Sequence, residues 1–308
     1  MRRRSVLGHG LICLGLACVA PGWSQADGSA YKQIAASTIT RGGQAEKYQS
    51  KARNWHGFWN HHLGTWHGSW TRYTSSGEIQ ETFASTRQFT ANPAKTAIIQ
   101  INKYRYADGR SMQKKWSYNI KDHNQQDGFA HPASETMRGL ALDNGAAAWL
   151  IPSLQPNAFA PFELFLKDGD IRHSVGVVYG RTGKLMRTAS IREQRGTTSN
   201  VGWTDAIIQT TPWHPKGHWQ GQEHQIRRNL SIVSRQPTSW QWIETGQSNH
   251  FLPDRIILRC PKQLSPEKPF SIQVIWMQSD DTIQTITANY DNNAQMTEVV
   301  HQELRPTE

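Results

Sequence analysis

The stretch at residues 64–70, Gly-Thr-Trp-His-Gly-Ser-Trp, constrains the fold more than any other part of this chain. With a period of two, Trp66, Gly68 and Trp70 share one face, which is the alternation of a half-buried β-strand. A glycine inside a strand marks close packing or a sharp coil, and a closed barrel needs both at its opening strand. The stretch, which begins at Gly64, therefore predicts the first strand of an antiparallel barrel.

A similar string, Gly-His-Trp-Gln-Gly, recurs far downstream with Gly217, Trp219 and Gly221. It indicates two units of one kind, each opened by Gly-x-Trp-x-Gly. Runs rich in β-branched and aromatic residues alternate with turn pairs such as Asp108-Gly109, which are strong hairpin signals. Successive hairpins without helical crossovers predict up-and-down sheets that close into barrels. The predicted fold class is all-β, with two antiparallel barrels in tandem after a short N-terminal helix.

The local patterns also predict where the elements lie. Trp55, Phe58, Trp59 and His62 recur at three- and four-residue spacing, which indicates one amphipathic helix over residues 52–63. The predicted strands lie near 65–74, 79–90, 96–106, 110–120, 136–143, 146–151, 161–167, 170–179 and 184–195, and then near 217–227, 229–235, 239–245, 254–260, 270–277, 281–290 and 295–304.

The N-terminus reads as an export signal. Three arginines precede an apolar segment at residues 6–20, and Ser24-Gln25-Ala26 supplies the small residues of a cleavage site. We therefore expect residues 1–26 to be a signal peptide, and the protein to reach a periplasm or thylakoid lumen or to be secreted. The remaining predicted divisions are a flexible leader at 27–51, the first barrel at 52–195, a linker at 196–216 and a second, smaller barrel at 217–308.

Composition limits the partners. The formal net charge is +10, but the basic residues form no stripe and no nucleic-acid motif, so we expect no nucleic-acid binding. A diffuse positive surface suits peripheral contact with an anionic membrane surface, and an ordinary soluble surface explains it too. Only Cys260 remains after the signal, so no internal disulfide can form. We expect a monomer.

A longer pattern carries a resemblance to a known family. Residues 60–73, Asn-His-His-Leu-Gly-Thr-Trp-His-Gly-Ser-Trp-Thr-Arg-Tyr, are followed by Phe-Ala-Ser-Thr-Arg-Gln-Phe at 83–89. Together they resemble an uncharacterised two-barrel family found mainly in cyanobacteria, the domain-of-unknown-function 3598 family, over roughly residues 53–305. The resemblance implies a calycin-like fold, similar to lipocalins and fatty-acid-binding proteins, with no established chemistry.

The calycin pattern also implies a structural pair. In it, the motif tryptophan packs under an arginine from the last strand, and here Trp66 and Arg192 would form that pair. A guanidinium stacked on an indole contributes about 0.5–2 kcal/mol and fixes the end of a barrel. In the second unit Arg305 is expected to lie past the closing strand, so that Trp219 lacks such a cap.

Arg87 is the residue that points to a ligand. It falls on a largely apolar strand face, and a buried arginine needs an anionic partner such as a carboxylate or phosphate. The other residues of that face are Ile79, Glu81, Phe83, Ser85 and Phe89. One hypothesis is a cavity that holds an amphipathic ligand by its acid group, lined by Trp70, Phe83, Arg87, Lys114, Trp116 and Tyr118. The alternative is an internal salt bridge from Arg87 to Glu81 or another acid.

The histidines do not predict a metal site. His56, His61, His62 and His67 crowd the first motif but lack the spacing of zinc ligands. His173 shares a strand face with apolar residues, and it is either a haem ligand by analogy with haem-binding barrels or a satisfied core histidine. No nucleophile elbow, phosphate loop or zinc-protease helix is present in the sequence.

These observations favour an exported protein that binds a lipid, carotenoid or tetrapyrrole in the first barrel. One alternative is a barrel isomerase or lyase acting on a pigment or lipid, with Arg87 and a nearby acid as the working pair. The other is a filled barrel that serves as a structural or interaction module. The sequence identifies no cofactor.

Overall fold

The computed structural model describes residues 41–196 and 203–307, which form two antiparallel sheets and a long N-terminal helix. The helix α1 covers Arg41–His62 and so begins before the predicted residues 52–63. The last part of the predicted flexible leader is therefore helical. The predicted signal peptide and the rest of the predicted leader lie outside the described residues. Within the described ranges, no helix has both the length and the apolarity needed to cross a bilayer.

The apolar face of α1 packs against residues at one end of the first sheet. Trp55, Phe58 and Trp59 are all buried, as their spacing predicts. Their rings lie 5.6, 5.0 and 5.5 Å from the ring of Phe129. Because each aromatic side chain removes about 150–250 Å² from water, these residues supply much of the burial in a chain of low apolar content.

The first sheet follows the predicted hairpins. Its elements are β1 (Gly64–Thr74), β2 (Ile79–Ala91), β3 (Ala97–Tyr106), β4 (Ser111–Asn119), the helical turn α2 (Ile120–His123), β5 (Asn124–Gln125), β6 (Gly128–His131), β7 (Ser134–Ala141), β8 (Ala147–Leu150), β9 (Ala160–Asp168), β10 (Ile171–Tyr179) and β11 (Leu185–Arg195). The eleven strands pair in the order β4-β3-β2-β1-β11-β10-β9-β8-β7-β6-β5. Only β4 and β5 are edges, so the sheet forms a nearly closed barrel.

The gap between those edges is covered by side chains rather than by backbone pairing. The ring of Tyr118 on β4 lies 6.4 Å from Phe129 and 5.9 Å from His131, both on β6. The ring of Trp116 lies 5.4 Å from His131. We call this junction of β4 with β5 and β6 the seam.

The second sheet has seven strands. They are β12 (His218–Arg227), β13 (Ile232–Gln241), β14 (Ser248–Leu252), β15 (Ile256–Cys260), β16 (Phe270–Ser279), β17 (Thr282–Tyr290) and β18 (Met296–Pro306), in the order β13-β12-β18-β17-β16-β15-β14. The single strand β13 replaces the predicted strands at 229–235 and 239–245. β13 runs unbroken through Pro237 because it is an edge strand, where a residue without an N–H is tolerated. The short strands β5, β6 and β14 were not predicted.

The two Gly-x-Trp-x-Gly stretches play the same part in their sheets. Each opens its sheet and pairs with both the next strand and the closing strand. A Cβ at Gly68 would overlap the carbonyl oxygen of Arg192, and a Cβ at Gly221 would overlap that of Glu303. The predicted close approach at these glycines is therefore confirmed, and it explains why no larger residue fits there.

The two sheets share a large apolar interface. The residues of β9 and β10 that face away from the first barrel pack on the second sheet, with Phe162 5.9 Å from Tyr290. Backbone hydrogen bonds cross between the units, such as Leu185 N–H to the Lys262 carbonyl at 2.9 Å. His173 lies in this interface, with its ring 4.6 Å from that of Trp276, so it faces out of the first barrel. The inward, haem-ligating position considered for His173 is wrong.

Candidate functional site

The interior of the first barrel contains a buried ionic cluster, which we define as Arg87, Arg172, Glu163 and Glu193. These residues come from β2, β10, β9 and β11, and their strand parity directs all of them inward. Each is at most 7% exposed. Gly68 pairs with Glu193 across β1 and β11 and contributes no side chain to the interior at this level.

Glu193 is held by both arginines of the cluster. Arg87 donates to its two carboxylate oxygens from Nε and Nη2, which is a bidentate arrangement. Arg172 donates to Glu193 Oε2 from Nε at 2.8 Å and from Nη2 at 2.6 Å. Arg87 Nη1 also donates to Glu163 Oε1 at 3.1 Å, and Ser174 Oγ donates to the same oxygen at 2.8 Å. Two positive and two negative charges therefore balance inside the barrel.

The charged neighbours set the protonation of the cluster. Burial by itself would raise the pKa of Glu193, but Arg172 and Arg87 outweigh it and lower that pKa. Burial would lower the pKa of Arg87, but Glu193 and Glu163 reverse the effect and raise it. For Arg172 burial prevails and lowers the pKa to about 10, which still leaves the guanidinium charged at neutral pH.

His62 completes the cluster at the end of α1. Burial and the nearby Arg172 charge hold the pKa of His62 well below its usual value, so the imidazole is neutral. Arg172 Nη1 lies 2.8 Å from His62 Nδ1, which accepts its hydrogen bond in that neutral form. The imidazole stacks on Phe58 with ring centres 4.4 Å apart. His62 thus fixes the position of Arg172 without adding charge.

The predicted pairing of Trp66 with Arg192 is wrong. The guanidinium of Arg172 lies 4.1 Å from the ring centre of Trp66, and that of Arg195 lies 5.2 Å away. Arg192 points to the opposite face of β11, where it donates to the Thr204 carbonyl at 2.6 Å. The reason is strand parity, because Trp66 faces the same side as residues 193 and 195 and not as residue 192.

The second motif differs from its prediction as well. Arg305 lies within the closing strand β18 rather than past it, and its side chain is 74% exposed. Trp219 is buried and its Nε1 donates to the Lys216 carbonyl at 3.1 Å.

A small cavity adjoins the ionic cluster. Its volume is about 40 Å³, and it lies between the cluster, the inward face of β3 and the seam. Of the predicted ligand residues, Trp70, Arg87 and Trp116 line it, whereas Phe83, Lys114 and Tyr118 are not among its lining residues. A volume of this size holds one or two water molecules in a polar site.

The predicted ligand residues away from the cavity have other contacts. Phe83 stacks on Trp70 with ring centres 5.7 Å apart. Tyr118 Oη donates to Gln100 Oε1 at 2.6 Å. From there the hydrogen bonds continue along β3, from Gln100 Nε2 to Asn102 Oδ1 at 3.0 Å and from Asn102 Nδ2 to Tyr104 Oη at 2.8 Å. This chain forms one polar wall of the cavity.

One donor at the cavity has no partner. Trp70 Nε1 is buried and makes no hydrogen bond within the structure. His131 lies across the cavity, and burial lowers its pKa to about 3, so it is neutral. The site therefore combines one unpaired donor, Trp70 Nε1, with an ionic cluster whose charges are balanced internally. Within the described ranges, no group of three or more His, Cys, Asp or Glu is arranged to hold a metal ion.

The sequence identified Arg87 as buried but missed its partners. Glu81, the acid named as an example, pairs instead with Arg72 at 2.6 Å. The internal salt bridge considered as the alternative is thus correct in kind, with Glu193 and Glu163 as the acids. An isolated charge inside an apolar strand is the available signal, and Glu163 in Ala-Pro-Phe-Glu-Leu-Phe-Leu shows it clearly.

Comparison with known proteins supports the resemblance given by the sequence. Residues 51–198 match the family model described as domain of unknown function (DUF3598), N-terminal. A crystal structure of a protein of unknown function from the DUF3598 family of Nostoc punctiforme superposes with a TM-score of 0.61 at 15% identity, covering 82% of this chain and 99% of that one. The resemblance to the DUF3598 family is confirmed, and the shared fold includes both units.

Two further solved structures are less similar. An S-type phycobiliprotein lyase from Guillardia theta gives a TM-score of 0.33 at 12% identity, over 50% of this chain and 98% of that one. A Mycobacterium tuberculosis protein, Rv2717c, gives a TM-score of 0.20 at 10% identity, over 80% and 92%. No curated protein matches the sequence.

Proposed function

We propose that this protein binds a small amphipathic molecule in the first barrel, with the polar end of the ligand in the cavity beside the ionic cluster. The observation that carries the proposal is that Trp70 lines that cavity and that its buried Nε1 has no hydrogen-bond partner. A buried donor without an acceptor costs about 1–3 kcal/mol, and a carbonyl or carboxylate oxygen of a ligand would remove that cost.

The polar wall of the cavity supports the same proposal. Gln100, Asn102 and Tyr104 occupy inward positions of β3 that apolar residues fill in a solid barrel. Buried polar networks often stabilise a fold no better than apolar packing does, so their retention calls for another reason. Phe89, which pairs with Gln100 across β2 and β3, and Trp149 and Phe165 on β8 and β9 offer apolar surface to the same cavity. A ligand with one polar end and an apolar body fits this division.

The size of the cavity defines how a ligand would enter. About 40 Å³ accommodates only the polar end of a molecule, whereas a lipid, carotenoid or tetrapyrrole needs several hundred Å³. The seam is the natural place for the barrel to widen, because no backbone hydrogen bonds join β4 to β5 or β6. Displacing Trp116 from His131 would extend the cavity toward solvent at the expense of side-chain contacts alone.

A second candidate function is a filled barrel that acts as a structural or interaction module. The small volume of the cavity and the internally neutralised Arg87 favour it. The enzymatic alternative would use Arg87 with Glu163, which are 3.1 Å apart at the cavity, and it predicts turnover that disappears in a folded Arg87→Gln protein.

We further propose that the protein is exported, because residues 1–26 have the composition of a signal peptide. Its compartment would be a periplasm or thylakoid lumen, or the exterior. A peripheral contact with anionic lipid and a monomeric state remain part of this proposal.

Native mass spectrometry and an absorption spectrum of the protein purified from its own compartment test the binding function. A near-stoichiometric lipid or pigment is expected, and its occupancy should fall in Trp70→Phe, which keeps the ring and removes the donor. Trp203→Phe, which changes a residue beside a hollow on the outer face of the first sheet, serves as the matched control. A native mass equal to that of the protein alone, with no chromophore absorption, would contradict the binding proposal and favour the filled-barrel module.

A further inference from the structure

We propose that the second sheet carries a separate binding site for a small carboxylate with a planar apolar body, anchored by Arg259. This site lies outside residues 51–198, which the family model matches, and it does not depend on the first barrel. Arg259 belongs to β15 and shares its inward face with Ile257, in the core of the second sheet.

Arg259 is buried without a counter-ion. Its residue is 6% exposed, and its Nε donates to Asn249 Oδ1 at 3.2 Å. Its Nη2 is buried and has no hydrogen-bond partner. None of the ion pairs formed within residues 41–196 and 203–307 includes Arg259. A buried charge with no salt bridge and an unpaired donor is costly, so an anion from outside would be bound favourably.

The buried arginines of the two sheets differ in their partners. Arg87 and Arg172 are equally buried, but two glutamates neutralise them. The neighbours of Arg259 on the adjacent strands are instead the neutral Asn249 and Gln273. The same kind of side chain is therefore satisfied internally in one sheet and left open in the other.

The guanidinium of Arg259 is held in place by an aromatic ring. It lies 4.1 Å from the ring centre of Trp242, a distance typical of a cation–π contact. Trp242 Nε1 in turn donates to Glu244 Oε1 at 2.8 Å. Glu244 is exposed and accepts from the indole; burial lowers the pKa of Arg259 and the Glu244 charge offsets part of that effect, but the Glu244 carboxylate forms no salt bridge with Arg259. The guanidinium is thus oriented before any ligand binds, which lowers the entropic cost of binding.

A hollow of about 620 Å³ lies beside Arg259, and its size is in the range of small-molecule sites. It opens toward solvent near the unpaired edges β13 and β14. Trp240 and Ile243 supply apolar walls, and Gln247, Ser271 and Gln273 supply polar groups. Gln247 Oε1 is a second buried atom without a partner there.

These features define the ligand class. A planar carboxylate matches the geometry of a guanidinium, and one buried arginine among neutral amides balances a single negative charge. An aromatic or other flat apolar body would lie against Trp240. Phosphate dianions, which carry more charge and no apolar part, fit the hollow less well.

Equilibrium binding of 2-naphthoate to the mature protein, followed by fluorescence or calorimetry, tests this site. Its neutral analogue 2-naphthamide has the same ring system, so the comparison isolates the charge without any substitution. We expect the amide to bind about tenfold more weakly, and Arg259→Gln to weaken 2-naphthoate by about the same factor. Arg259→Lys should retain part of the affinity, because it retains the charge. Benzoate should displace 2-naphthoate, and inorganic phosphate should not.

Two control variants test where on the protein 2-naphthoate binds. Arg305→Gln removes an exposed arginine of the same sheet, and Trp70→Phe alters the first barrel; both should leave the affinity for 2-naphthoate unchanged. The proposal is overturned if the folded wild-type protein does not bind 2-naphthoate, or binds it no better than 2-naphthamide. It is also overturned if Trp70→Phe abolishes binding while Arg259→Gln does not, or if phosphate alone displaces the probe.

Discussion

Arg172 Nε and Nη2 lie 2.8 and 2.6 Å from the same oxygen of Glu193, across the pairing of β10 with β11. The other face of this contact is occupied by Arg87, so a single carboxylate holds two buried guanidinium groups. Glu163 supplies the second negative charge through Arg87. The stability of the first barrel should therefore depend on Glu193 more than on any surface ion pair.

Replacing Glu193 by Gln should lower the free energy of unfolding by about 3–5 kcal/mol, because it leaves an uncompensated positive charge inside the barrel. Urea unfolding followed by tryptophan fluorescence measures the change. Asp108→Asn is the matched control, since it breaks an ion pair with Arg110 that is exposed on both sides, and its unfolding midpoint should not move. Equal effects of the two substitutions would contradict a structural role for the cluster.

Acidification should destabilise the protein through buried neutral histidines. Burial lowers the pKa of His131 to about 3, whereas an unfolded histidine titrates near 6.5. Below pH 6.5 His131 binds a proton in the unfolded state but not in the folded state. Its contribution to the free energy of unfolding is therefore complete above pH 6.5 and is lost as the pH falls toward 3. Between pH 6.5 and 5 the loss amounts to about 2 kcal/mol for this residue.

Unfolding curves recorded from pH 7.5 to 5 check that prediction. His131→Asn should reduce the pH dependence by the share of this residue, because asparagine can accept the hydrogen bond that His131 Nδ1 receives from Ala133 N–H at 3.0 Å without titrating, while His62 and His301 still contribute. His218→Asn, at an exposed position, should leave it unchanged. A wild-type stability that is flat over this range would show that His131 is accessible to protons in the folded state.

Gly68→Ala should destabilise the first barrel by about 1–3 kcal/mol or more, because the added methyl group would overlap the Arg192 carbonyl and push β11 away from β1. Gly57→Ala in α1 is the contrasting substitution. Its Cβ would lie 3.7 Å from that of Ala141, an ordinary contact, and a helical glycine replaced by alanine gains about 0.5–1 kcal/mol. Thermal unfolding should shift in opposite directions for the two variants.

Cys260 should be inert to a thiol reagent in the folded protein. It is fully buried, and burial raises its pKa to about 12, so almost no thiolate forms near pH 8. In denaturant, protein purified after export should titrate one thiol if residues 1–26 are removed, since Cys13 and Cys18 would leave with them. Three thiols would show that the proposed signal is retained, and rapid labelling before denaturation would show that the Cys260 environment opens.

Sequence patterns predicted much of the fold for reasons that are local. The alternation in residues 64–70 and the turn pairs specify strands and hairpins within a few residues of themselves. They fail where context decides: one strand, β13, replaces the two predicted at 229–235 and 239–245, and α1 extends to Arg41 although its early residues carry no apolar periodicity. The sequence of a strand does not determine whether that strand lies at an edge or in the middle of its sheet.

The sequence by itself determined the two Gly-x-Trp-x-Gly strands, the all-β class and the buried position of Arg87, because period-two alternation fixes which face a side chain takes. Only the tertiary structure decided what meets on that face. Glu193 stands 106 residues from Arg87, and the pairing of Gly68 with Glu193 turns Arg192 outward and gives Trp66 to Arg172 and Arg195. Register between distant strands sets these partners, and a shift of one residue would exchange every inward side chain for its neighbour.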